Sequence, residues 1–153
     1  MSLPERRMMI ETIRAVIAGI IALVLSTSAA ESRPAYTQED INLLAEVIYH
    51  ENWHTDKEHL AAYYTGAVVM NRVKSKNWPN TVKAVLYQRN PRQYSTTDKF
   101  FTVTLPQEVY EMAEDILKNG TPDVPDNVVY QAQFVQGHGD WIKPINGEHF
   151  CFE

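Results

Sequence analysis

Cysteine is nearly absent. Cys151 is the only one in 153 residues, so no intramolecular disulfide can form, and an exported domain of this size must then rest on a buried core. A basic cluster is also missing. Arg6, Arg7, Arg14, Glu5 and Glu11 fall in the first thirty residues, which leaves 11 Lys/Arg against 17 Asp/Glu from Glu31 onward, a net charge of −6 with His neutral. That balance argues against nucleic acid as a partner. Internal repeats and low-complexity segments are lacking, and no apolar run reaches the roughly 20 residues of a full membrane span.

The longest apolar run, Ala15 to Leu25, follows three arginines and precedes Ser26-Thr27-Ser28-Ala29-Ala30. A basic start, a short apolar stretch and a small-residue site predict a signal peptide over residues 1–30, cleaved after Ala30. The competing reading is an uncleaved anchor, the one route by which this chain would meet a membrane. Either way the working domain is expected outside the cytoplasm, secreted or at the cell wall. Residues 31–36 read as a linker and 37–153 as one domain, expected to be monomeric and free of cofactor.

Within that domain Thr37 predicts a helix N-cap, with Glu39 and Asp40 in the first turn. Ile41, Leu44, Ala45 and Ile48 recur at helical spacing as far as about Glu51. Asp56 to Val73 reads as a second helix, apolar on every side through "LAAYYTGAVVM" and therefore buried by its neighbours. Asn80 is the expected cap of a short helix through Val82, Val85 and Leu86. The stretch "QRNPRQYSTTDKFF" reads as a long loop. Thr104 with Gln107 predicts a capping box opening a helix through Val109, Ala113 and Ile116, closed at Gly120. Val128–Phe134 and Glu148–Phe152 read as strands. The predicted class is α+β, mainly helical, with a small antiparallel sheet near the C-terminus.

The conspicuous motif is "YHENWH", which contains H-E-x-x-H. On a helix this string offers two zinc ligands, His50 and His54, with Glu51 to activate water. A third ligand is needed, and nothing singles one out. On a helical wheel with Ile41 at zero, Glu51 falls at roughly 280°, inside the apolar stripe, while Glu46 falls at roughly 140°, on the solvent face. His50, at roughly 180°, and His54, at roughly 220°, lie at or beyond the stripe's margin. An apolar setting raises a carboxyl's proton affinity, which suits a general acid at neutral pH.

"EVIYHEN", "GAVVMNRVKSKNWPNTVKAVLYQ", "RQYS" and "INGEHFCF" occur in that order. Together they resemble the spore-cortex-lytic and cell-wall hydrolase family (the SleB/CwlJ type), over about Asp40 to Phe152. The resemblance implies a lysozyme-like fold acting on peptidoglycan glycan strands. It implies Glu51 as the catalytic acid–base, with no metal. Family members often carry Glu-x-Arg-Gly-Glu; here Glu51-Asn52-Trp53-His54-Thr55-Asp56 stands in its place, so no second carboxylate is carried over. That favours a lytic transglycosylase over a muramidase, because hydrolysis usually needs a second carboxylate. Expected substrate contacts are Gln93, Tyr94 and Ser95 in the polar loop, Tyr130 and Gln133 on the first strand, and His149 near the end. The alternatives are a zinc metallopeptidase and a silent wall-binding module.

Overall fold

The structure, a computed structural model, describes residues 36–153. The signal-peptide expectation for residues 1–30, and residues 31–35 of the expected linker, lie outside the described residues. Four helices, a 3₁₀ turn and one two-stranded sheet follow in chain order: α1 (Gln38–Asn52), α2 (Leu60–Lys74), α3 (Val82–Leu86), the 3₁₀ turn (Ser95–Lys99), α4 (Gln107–Asn119), β1 (Val128–Ala132) and β2 (His149–Phe152). The α+β reading, helices first and sheet last, is what the chain adopts.

Helix α1 starts where Thr37 predicts. The Thr37 hydroxyl accepts from the Asp40 amide at 3.2 Å, and Asp40 Oδ2 accepts from the Thr37 amide at 2.8 Å. This reciprocal box satisfies two otherwise orphaned donors and contributes about 1 kcal/mol. The apolar face (Leu43, Leu44, Val47, Ile48) is almost wholly buried and packs against α2 and α4. At Gly66 of α2 a Cβ would stand 2.5 Å from Ile116 Cδ1 and 3.2 Å from Ile48 Cδ1. The missing side chain is what lets three helices meet there, at some cost in helix propensity.

Helix α2 is apolar all round because it serves two cores. One gathers α1, α3, α4 and the loop residues Tyr94, Phe100 and Leu105. The other gathers Ala61, Tyr64, Ala67 and Val68 of α2 with Val124, Val128 and Phe150. The sheet is also tied to α2 by polar side chains. The Asn71 amide donates to Val128 O and Pro125 O, both at 2.9 Å, and Arg72 Nε donates to Val129 O at 2.6 Å. These buried donors answer carbonyls that the two-stranded sheet leaves open.

Several boundaries differ from the sequence reading. Helix α2 begins at Leu60 rather than Asp56. Asp56 stays outside and its carboxylate accepts from the Leu60 and Ala61 amides at 2.8 and 2.9 Å, while His59 turns the chain at φ 54°. Thr81, not Asn80, caps α3, accepting from Ala84 N at 3.1 Å. Thr104 caps nothing: α4 opens after Pro106, whose fixed φ leads into the helix without a side-chain cap. Gly120 does close α4, at φ 72° with its amide on Ile116 O. Strand β1 stops at Ala132, so Gln133 lies beyond it, and a register shift between Val128 and Tyr130 breaks the expected alternation. Glu46, expected in solvent, is only 1% exposed.

Candidate active site

Glu51 sits in the last turn of α1, half-buried, where the apolar stripe reaches the surface. The Thr96 hydroxyl, brought over by the 3₁₀ turn, donates a short hydrogen bond to Glu51 Oε1. Burial pushes the Glu51 carboxyl above its ordinary range; the Thr96 bond and the charges of His50, Lys99 and Arg72 pull partly against that. Desolvation wins, and Glu51 is a carboxyl that holds its proton longer than a free glutamate.

A second carboxyl lies within electrostatic reach. The chain reverses at Ile145–Glu148, with backbone bonds in both directions at 3.0 and 2.9 Å. Asn146 and Gly147 occupy the centre at φ 49° and 90°, the left-handed pair that a tight hairpin requires. Asn146 Nδ2 ties this tip to Thr55 O at 2.5 Å. Glu148 is thereby held half-buried beside the end of α1. Burial raises its carboxyl, the Asn52 amide pulls it down, and the charge of Glu51 raises it further. No second carboxylate is carried over from the family's Glu-x-Arg-Gly-Glu run; the carboxyl whose proton affinity Glu51 raises comes instead from near the end of the chain. The Asn146-Gly147 pair marks the turn in the sequence, but nothing local to it says that Glu148 comes to the end of α1.

A groove of about 820 Å³ opens beyond the end of α1, and neither Glu51 nor Glu148 is among the residues that line it. One wall is formed by Trp53 to His59, which follow Glu51, and the other by Lys143 to Asn146, which precede Glu148. Trp53 lines it as a buried ring stacked on His59, with centroids 3.7 Å apart.

The H-E-x-x-H string does not build a zinc site. His50 turns inward, its Nε2 3.2 Å from the buried Glu46 Oε2, and its ring stacks on Phe100. That contact has the distance of an ion pair but not the angle of a hydrogen bond. His54 is exposed in the turn after α1, edge-on to Tyr49. Among the described residues no three His, Cys, Asp or Glu side chains converge as metal ligands would.

The expected substrate contacts scatter. Tyr94 is a core residue, 1% exposed, with its hydroxyl unpaired and the Arg72 guanidinium 5.3 Å from its ring centre. Its phenol feels the charges of Arg72, Glu51 and Glu148, so it underlies the site without facing solvent. Gln93 is half-buried and bonded weakly within its own loop, to Pro91 O at 3.4 Å. Ser95 is exposed at the start of the 3₁₀ turn. Tyr130 packs edge-on to Trp78, and Arg72 covers the other ring at 4.3 Å. Gln133 is exposed past the strand end. His149 Nδ1 pairs with Asp140 Oδ1 at 2.8 Å, and this bond holds Asp140 below its usual range.

Known proteins share the sequence family and the fold. The curated spore cortex-lytic enzyme of Bacillus cereus is 30% identical over 122 residues, which cover 76% of this chain. The matched region is 45% of that relative's length, so the chain spans about half of the curated relatives it matches. Two solved structures share the fold. The catalytic domain of the germination-specific lytic transglycosylase SleB from Bacillus anthracis has a TM-score of 0.59 at 25% identity, covering 78% of this chain and 98% of that one. The catalytic domain of Bacillus cereus SleB gives 0.60 at 25% identity, covering 81% and 98%. The profile of the cell wall hydrolase family matches residues 57–150, a span that begins after Glu51. With most of the described domain inside that match, the chain belongs to the cell wall hydrolase family.

Proposed function

We propose that this chain cleaves the glycan strands of peptidoglycan at MurNAc–GlcNAc bonds, with Glu51 as the general acid and base. The observation that carries the reading is a half-buried glutamate, raised in proton affinity by burial, at the end of a helix whose following residues wall an open groove. Such a group can protonate the glycosidic oxygen as the C1–O bond breaks, leaving positive charge on the sugar ring. Its carboxylate then takes the proton of the MurNAc 6-hydroxyl as that oxygen bonds to C1. The anhydro ring closes, no water is consumed, and Glu51 is protonated again. This lytic transglycosylase course is supported by the activity in the name of the Bacillus anthracis relative. A muramidase would instead deliver water to C1.

The domain works as a monomer on wall outside the cytoplasm, at the position that the N-terminal signal reading predicts. The test is digestion of purified sacculi by the mature domain, with products read by mass spectrometry. Anhydro-muropeptides are the expected result. Reducing ends would replace the transglycosylase course with hydrolysis. New peptide termini would overturn glycan cleavage, and binding without cutting would leave a wall-binding module.

A further inference from the structure

The reaction above makes no use of the groove beyond the end of α1. We propose that this groove takes the peptide stem carried by the MurNAc residue beside the cleaved bond, with Lys57 and Lys143 as cationic contacts for the carboxylates of that stem. The inference rests on the reading of Glu51 as acid and base for glycan cleavage.

Place is the first argument. The wall from Trp53 to His59 begins just past Glu51, yet Glu51 itself does not line the groove. The bond to be cut runs from C1 of MurNAc, and the same sugar bears its peptide through the lactyl ether at C3. A branch of the substrate therefore leaves the strand close to the reacting atoms, and it needs room beside the acid rather than over it.

The lining fits a charged peptide better than a sugar. Trp53 is only 7% exposed, and the His59 ring covers it at 3.7 Å and 7° from parallel, so no bare indole face is offered for a sugar to stack on. What meets solvent is charge: Lys57 and Glu58 on one wall and Lys143 on the other, all exposed. Among the described residues neither lysine has a carboxylate within ion-pair distance. Two unengaged ammonium groups on opposite walls, in a domain of net charge −6 from Glu31 onward, suit an anionic guest held from both sides. Glu58 suits the free amine of a diamino acid in the stem. Asp56 also lines the groove, but its carboxylate is already taken up by the Leu60 and Ala61 amides.

The groove is built before a ligand arrives. Asn146 Nδ2 donates to Thr55 O and so joins the two walls. His59 Nδ1 donates to Trp53 O at 2.7 Å, which fixes the far end of the first wall. Walls fixed in this way have little left to order on binding, so a few charged contacts suffice for recognition.

The experiment follows backbone amide NMR shifts in the chain carrying Glu51→Gln, so that no probe is cut. The probes are a soluble disaccharide-peptide muropeptide, the same disaccharide without its peptide, and polyphosphate as an unrelated anion. The muropeptide should shift the amides of residues 55–59 and 143–146. Lys57→Ala together with Lys143→Ala should weaken its binding about fivefold or more, the effect of two exposed ion pairs. Both lysines are exposed, so the variant keeps its fold. Equal shifts from the bare disaccharide would make the groove a sugar site, and equal binding of polyphosphate would make it a general anion site. Either result overturns the proposal, as would groove amides that stay still. With Glu51 intact, the preference for whole sacculi over strands stripped of peptide by an amidase, read as a ratio of kcat/KM, should fall about fivefold in the lysine variant, mainly through KM. An unchanged ratio would also overturn it. If sacculi stay uncut while the muropeptide still moves the groove amides, the reading of Glu51 fails and the peptide site stands. If sacculi are cut and those amides do not move, the peptide site alone fails.

Discussion

Glu46 and Glu51 lie on the same helix, both turned away from open solvent, and they live in opposite circumstances. Glu46 is 1% exposed and faces the His50 imidazole at 3.2 Å. Glu51 is half-buried, accepts a hydroxyl hydrogen bond, has positive or protonatable groups around it, and acts on a second carboxyl, Glu148, through its charge. A carboxylate sealed against one partner can only hold structure together, since no substrate reaches it. One held at the edge of the core, with balanced neighbours, can give a proton away and take it back. Burial alone does not mark the proposed acid–base group; incomplete burial with opposed charges does.

The largest test of this contrast is Glu51→Gln, which should lower glycan cleavage by about 10²–10⁴-fold, the usual worth of a positioned acid–base group, with circular dichroism unchanged. The same variant should be more heat-stable than wild type at neutral pH. A carboxyl raised in the folded state favours folding below its unfolded value and loses that contribution as pH rises through the folded one. The gain should therefore vanish in acid, as thermal unfolding at two pH values would show.

Glu46→Ala should do the reverse. It leaves His50 buried without its partner and should cost about 2 kcal/mol in denaturant unfolding. The folded fraction should keep its cleavage rate. Between the two glutamates, Ile48 packs on Gly66. Gly66→Ala gains about 1 kcal/mol of helix propensity but forces Ile116 aside, at about 1–3 kcal/mol. A net loss of about 1 kcal/mol is expected by thermal melt. The smallest effect belongs to Thr96→Val. Removing the bond that favours ionised Glu51 raises its proton affinity, so the pH–rate profile should move to the alkaline side by a fraction of a unit.

The comparison also explains what could be read in advance. Helix α1 and its cap were legible because Thr37 and the apolar spacing act locally, and Glu51 because the wheel put it on the stripe. The same wheel places Glu46 outward, because it counts only the helix itself; packing from elsewhere in the fold, such as Phe100 stacked on the His50 beside it, buries that face. Thr96 and Glu148 come from remote loops, and no local pattern joins them to α1. Tyr94 was noticed for its place in "RQYS", yet whether its ring points to groove or core is decided by packing that no spacing encodes. The start of α2 moved because Asp56 satisfies the first amides from outside the helix, a cap that imitates a helical turn in sequence.

Helix α2, shared by two cores and pinned to the sheet by Asn71 and Arg72, leaves the domain with no spare hinge. A molecule built around one common wall cannot open its sheet without loosening the support beneath Glu51. Its amides should exchange with solvent through a single global event, the slowest ones lying along α2. A domain without a disulfide thus holds Glu51 in register by denying it any partial way to unfold.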